Sequence, residues 1–183
     1  MKRETGTVLL ALALALSGLV PALRAQDPDD VGIAVGATPV PPTIEDLAHH
    51  SVDLARYVGH GPVLLEFWAT WCPICRALQP KLTAAFAKYG ARATFLAVGV
   101  AVNETPASIQ RHLADHPVPY PVLWDSAGNA TRAFEAVSTS YVVILNAKGA
   151  VAYTGTGSDQ DLDGALARVL QPQATSSPSP PRP

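Results

Sequence analysis

The chain's two cysteines stand together in Trp71-Cys72-Pro73-Ile74-Cys75, directly after the apolar run Val63-Leu64-Leu65-Glu66-Phe67-Trp68. A short apolar run ending in such a pair predicts a buried strand that turns at once into a helix. A cysteine at a helix N-terminus lies at the positive end of the dipole, next to unpaired N–H groups that stabilise a thiolate. Cys72 is therefore the expected nucleophile. Cys75, one turn further on, shares its helix face and can attack a mixed disulfide formed on Cys72.

Other uses of the pair fit the chemistry less well. A bridge across two intervening residues closes too short a loop to remove much chain entropy, so it would staple almost nothing. A structural zinc site takes four ligands, and without a second cysteine pair it would have to recruit His49, His50, His60, His112 or His116. Two cysteines in 183 residues fall far below the density of disulfide-stapled folds, so the domain has to be held by its core. A formal net charge of −2, with no basic run, argues against a nucleic-acid partner.

The N-terminus reads as a secretory signal over residues 1–25. Lys2 and Arg3 supply the charged start, residues 8–20 the apolar core, and Ala22 or Ala25 a small residue for cleavage. The apolar core falls short of the roughly 20 residues of a membrane span. Export with cleavage is expected, and an uncleaved anchor is the alternative. Residues 26–42, rich in Asp, Gly and Pro, read as a flexible arm. A domain over 43–171 follows, and the Pro/Ser-rich end, 172–183, has the composition of a disordered tail.

Within the domain, strand and helix patterns alternate. Residues 63–67 read as a central strand, and 72–89 show helical apolar spacing through Leu78, Leu82, Ala85 and Phe86, with Pro80 expected to kink the helix. Residues 93–102 read as a second buried strand. Thr105-Pro106 looks like an N-cap with a first-turn proline, and Ile109 and Leu113 carry that helix to about His116. Residues 120–124 read as a short strand, and 130–134 as one or two helical turns. Residues 141–145 and 150–153, joined by Asn146-Ala147-Lys148-Gly149, suit a hairpin, and 161–170 a closing helix. This order predicts an α/β fold, a central mixed β-sheet flanked by helices.

Phe67-Trp68-Ala69-Thr70-Trp71-Cys72-Pro73-Ile74-Cys75-Arg76, with Pro80 after it, resembles the active-site segment of the thioredoxin superfamily, and more closely that of its exported TlpA/ResA-type thiol-disulfide oxidoreductases. Tyr120-Pro121-Val122-Leu123-Trp124-Asp125 and the hairpin over 141–149 are similar to later family segments, so the likeness covers residues 36–170. The resemblance implies a thioredoxin-like fold, a redox-active Cys72–Cys75 disulfide, and neither a soluble cofactor nor a metal. It puts Glu66, six residues before Cys72, at the place of a buried acid beneath the cysteines. Desolvation there would raise its pKa and let it take or return the proton of Cys75. An edge or partly solvated glutamate with no catalytic part is the other reading.

Trp71, Pro73, Ile74 and Ser140 form the expected substrate-binding rim. Ser140 stands where the family usually has a cis-proline, whose backbone pairs with a bound substrate strand and whose ring helps keep metals from the thiols. A non-proline cis bond costs about 2.5–4 kcal/mol, so the bond before Ser140 is expected to be trans. Trp68 is expected to pack. Arg76 either faces solvent or favours the Cys72 thiolate. His112 and His116, four apart, are expected on an exposed helix face.

The expected function is that of an exported, periplasmic or otherwise extracytoplasmic, thiol-disulfide oxidoreductase. Pro73-Ile74 supplies no charge to stabilise the thiolate, which favours a reductant of protein disulfides over a strong oxidant. Its partners would be protein thiol or disulfide clients, by resemblance in cytochrome c maturation or repair of exported cysteines. An upstream thiol reductant, membrane-embedded where electrons must cross a membrane, would supply it. The protein itself would meet the membrane only if its N-terminal segment stays uncleaved. Two alternatives stand beside this reading. A peroxiredoxin-like peroxidase usually has a proline and threonine spacing that Thr70 and Trp71 do not match, and a copper or zinc carrier would use Cys72 and Cys75 with a histidine.

Overall fold

The apolar run Val63–Trp68 is buried at all six positions, as a strand must be when it has neighbours on both edges and cover on both faces. It is the third strand, β3, of a computed structural model that describes residues 31–171. The expected leader over 1–25 and tail over 172–183 lie outside the described residues. Before β3 come β1 (Thr43–Asp46), β2 (Ser51–Asp53) and a 3₁₀ turn at Leu54–Arg56. After it come α1 (Pro73–Tyr89), β4 (Thr94–Val100), α2 (Pro106–Asp115), β5 (Val122–Asp125), α3 (Asn129–Ala133), β6 (Tyr141–Leu145), β7 (Val151–Gly155) and α4 (Leu162–Leu170).

The strands form one mixed sheet in the order β2-β1-β5-β4-β3-β6-β7. β3 runs parallel to β4 and antiparallel to β6, with Glu66 opposite Ala97 on one side and Val142 on the other. β5 runs parallel to β4. The steps from β3 to β4 and from β4 to β5 go the same way along the sheet, so right-handed crossovers bring α1 and α2 to the same face. α4 packs on α1, β6 and β7, and α3 lies by β1 and β5. Side chains alternate along a strand. Glu66 and Trp68 therefore face one side together, while Phe67 packs from the other against Phe134 and Tyr141, at ring distances of 6.1 and 5.8 Å. Burying side chains such as Leu78, Leu82 and Phe95 contributes about 1.5–3 kcal/mol each.

Helix ends follow the local chemistry. Thr105 caps α2 reciprocally with Ser108, and the Asp161 side chain accepts from the Gly164 N–H at the start of α4. α1 runs as one 17-residue element through Pro80, carried by the buried stripe Cys75, Leu78, Leu82, Ala85 and Tyr89.

Two regions depart from expectation. β1 and β2 have no strand signature, since both are short and polar. Their hairpin is set by Asp46 Oδ1, which accepts from the N–H groups of Ala48 and His50 at 2.8 and 2.9 Å. The arm expected to be flexible over 26–42 is attached where it is described. Ile33 is buried and its N–H donates to Tyr141 Oη at 3.3 Å, while Gly36 and Ala37 pair with Val151 at 2.8 Å each. Gly32 has φ 76°, and a Cβ there would lie 2.6 Å from Tyr141 Oη, so only glycine permits the approach.

Candidate active site

β3 ends at Trp68, and the chain reverses through Ala69-Thr70-Trp71 to start α1 with Cys72 as its N-cap. Cys72 and Cys75 are bridged, with their Cα atoms 5.3 Å apart. The Cys72 sulfur also accepts from the Cys75 N–H at 3.1 Å, so a donor of the first helical turn points at the sulfur expected to be the nucleophile. Pro73 occupies the first helical turn, where its missing N–H costs nothing. The turn before it is pinned from outside. The Thr70 N–H donates to Glu104 Oε2 at 2.6 Å, the Trp71 indole N–H to the Val102 carbonyl at 2.8 Å, and the Arg76 guanidinium to the Thr70 carbonyl at 3.2 Å. Trp71 and Ile74 stay 45% and 49% exposed, an apolar rim beside a nearly buried bridge.

Beneath the bridge lies a cavity of about 290 Å³ between β3, α1 and α2, lined by Glu66, Trp68, Cys75, Gln79, His112 and His116 among others. Glu66 is 2% exposed, and Oε1 has no hydrogen-bond partner among the described residues. Burial alone pushes its pKa up to about 8. Glu66 is thus neither at a sheet edge nor partly solvated, because β3 has partners on both sides. Trp68 packs as expected, with its indole nitrogen also unpartnered. His112 does not lie on an exposed face: it is half-buried, with its ring 5.7 Å from that of Trp68, whereas His116 is exposed. Among the described residues, no group of three or more His, Cys, Asp and Glu side chains is placed to hold a metal ion.

Ser140 comes just before β6, whose start pairs with the end of β3, so it lies at the same end of the sheet as Cys72. All described peptide bonds are trans, and Ser140 takes φ 65°, a left-handed conformation that costs a non-glycine residue energy. It is held there by its surroundings. Its Oγ accepts from the Gly157 N–H at 3.1 Å, and its carbonyl accepts from Gln160 Nε2 at 3.0 Å. At the position where the family's backbone meets a substrate strand, the Ser140 carbonyl already accepts from a buried glutamine.

Glu104 and Gln160 were not found from sequence. Glu104 is the one acidic residue between the end of β4 and the Thr105 cap, and only the fold shows that it reaches back to Thr70.

A bridged cysteine pair capping the first long helix of a thioredoxin-like sheet, over a buried acid, defines a ResA/TlpA-type thiol-disulfide oxidoreductase of the thioredoxin superfamily. The chain belongs to the Redoxin family, whose model matches residues 35–169. It is similar to the thiol-disulfide oxidoreductase ResA of Halalkalibacterium halodurans, 24% identical over 132 residues that cover 72% of this chain and 74% of that protein. ResA of Geobacillus kaustophilus is likewise 24% identical over 143 residues, covering 77% and 81%. The fold is shared with a secreted Mycobacterium tuberculosis disulfide oxidoreductase homologous to Escherichia coli DsbE, at TM-score 0.59 and 22% identity over 70% of this chain and 93% of that one. StoA from Bacillus subtilis has the same TM-score at 16% identity, covering 72% and 97%. No helix among the described residues is long and apolar enough to cross a membrane.

Proposed function

We propose that the protein works outside the cytoplasm as a reductant of protein disulfides, with Glu66 as the acid–base partner of Cys75. The observation that carries this reading is the bridge itself: the Cys72 sulfur caps α1, Cys75 lines the cavity of a buried carboxyl whose Oε1 has no partner among the described residues, and no charged residue stands between the two cysteines. The Cys72 thiolate attacks one sulfur of a client disulfide. That S–S bond breaks, and the other client sulfur leaves as a thiolate and takes a proton from water. Cys75 then passes its proton to the Glu66 carboxylate and attacks Cys72 Sγ. The bond to the client breaks, the Cys72–Cys75 bond forms, and two electrons have passed to the client.

An upstream dithiol carrier reverses the cycle: one of its thiolates attacks Cys72 Sγ and breaks the Cys72–Cys75 bond, and its second thiolate then attacks the carrier sulfur of the mixed disulfide, releasing the Cys72 thiolate and leaving the carrier oxidised. Glu66, still protonated at neutral pH, returns the proton to the leaving sulfur of Cys75. Trp71 and Ile74 offer the client an apolar contact around the bridge.

The test is the reduction potential, titrated in thiol/disulfide buffers with alkylation of both cysteines as readout. A value near about −270 mV supports a reductant, and one near about −120 mV makes the protein an oxidant and removes the reading.

A further inference from the structure

The cavity that Glu66 lines leads outward past two histidines. From Trp68 through His112 to His116 the side chains pass from buried to half-buried to exposed, and successive ring centroids lie 5.7 and 4.7 Å apart. His112 lies in the last turn of α2 and His116, four residues on, is its C-cap, and both line the cavity. The volume of about 290 Å³ has room for several waters, each taking about 30 Å³ in the liquid. Its two unpartnered buried atoms, Glu66 Oε1 and Trp68 Nε1, are an acceptor and a donor of the kind that such waters satisfy.

We propose that His112 carries the proton between Glu66 and solvent across this cavity, with His116 as the outer station. The inference rests on Glu66 being the acid–base partner of Cys75. An imidazole suits the task because it accepts a proton on one nitrogen and releases one from the other. At neutral pH Glu66 must shed a proton before it can accept that of Cys75. That proton passes through water to one ring nitrogen of His112, and the proton on the other nitrogen leaves to His116 or bulk water. No electrons move in this part of the cycle, and bridge opening runs it in reverse. Arg76 on α1, His116 and Asp115 at the end of α2, and Glu104 ahead of α2 face His112, while Tyr120 faces Glu66. Burial, then His116 and Arg76, lower the pKa of His112 from its ordinary value, so the ring releases what it takes.

The test is the rate of bridge closure in the reduced full chain, started with glutathione disulfide, quenched in acid and read by alkylation across the neutral to mildly alkaline range. His112→Ala is expected to slow closure at neutral pH by about tenfold or more, and free imidazole to restore the rate in proportion to its concentration. His112→Phe keeps a ring against Trp68 and is expected to be as slow as His112→Ala. Closure at the wild-type rate in either variant, or no rescue by imidazole, overturns the inference. Glu66→Gln in the same assay separates the two readings. If it leaves the rate and its pH dependence untouched, the Glu66 assignment fails and this inference with it. If it slows closure while His112→Ala does not, only this inference fails.

Discussion

Glu66 and Glu104 are the same residue type, 2% and 8% exposed, on two sides of one cysteine pair, and their pKa values move in opposite directions. Burial lifts Glu66 to about 8. Burial also works to raise Glu104, but a hydrogen bond from the Ser108 hydroxyl and others around the Thr70 N–H outweigh it and hold that carboxyl below its ordinary 4.5. The difference comes from where each sits. Glu66 is in mid-strand, where backbone donors are spent on the ladders to β4 and β6. Glu104 lies just ahead of the α2 N-terminus and beside the active-site turn, where donors are free. Burial sets the penalty on a carboxylate, and local donors decide whether it keeps its charge or its proton. One site thereby gains a group able to exchange a proton and another fixed as an anchor.

The largest effect expected is on Cys75, the group that Glu66 is proposed to serve. Cys75→Ser should leave a stable mixed disulfide on Cys72 and reduce turnover to background, with the trapped client seen as added mass. Continued turnover would mean that Cys75, and so the acid beneath it, is not part of the exchange. Next comes Glu66→Gln, for which bridge closure is expected to slow about a hundredfold and to lose its alkaline pH dependence. The same variant tests the charge state in equilibrium. Unfolded Glu66 titrates near 4.5 and folded Glu66 near 8, so between those values the native state holds a proton that the unfolded state lacks. This group therefore makes stability fall by about 1.4 kcal/mol per pH unit over that window. Urea unfolding should show the decline in the wild type and lose it in Glu66→Gln. Parallel curves would show that Glu66 is not the unpaired buried acid of the comparison.

The anchor side of this comparison was the less legible in sequence. The strand–turn–helix around Cys72 and Cys75 could be read because an apolar run, a proline at the first helical turn and a helical stripe all occur within 27 residues of one another. The α2 cap was as plain, since Thr105-Pro106 is a local signal. Whether Glu66 was buried could not be read, because one acid in an apolar run fits an edge strand as well as a central one. Only the pairing of β3 with both β4 and β6 decides it. Glu104 reaches Thr70 across 34 residues, β1 meets β5 through Glu45 and Trp124, and the Ser140 carbonyl depends on Gln160. All are contacts made by the fold, with no period or motif to announce them.

The anchor predicts smaller effects of opposite sign. In Glu104→Gln the charge-assisted bonds to Thr70 and Ser108 are lost, at a cost of about 2 kcal/mol. A depressed folded pKa means that this contribution is present above 4.5 and is lost as the pH falls through the folded value. Wild type and Glu104→Gln should therefore converge in stability on acidification, whereas Glu66 matters most on the alkaline side. Hydrogen exchange should show the Thr70 amide opening faster. The smallest effect belongs to Asp159, held by Lys81 at 2.9 Å but fully exposed. Its carboxyl is also lowered, chiefly by the Lys81 hydrogen bond, yet water solvates both charges in either state. Asp159→Asn should leave both limbs of the pH–stability profile in place. If it moves the acid limb as far as Glu104→Gln does, pairing alone governs these carboxyls, and burial is not what makes Glu104 an anchor.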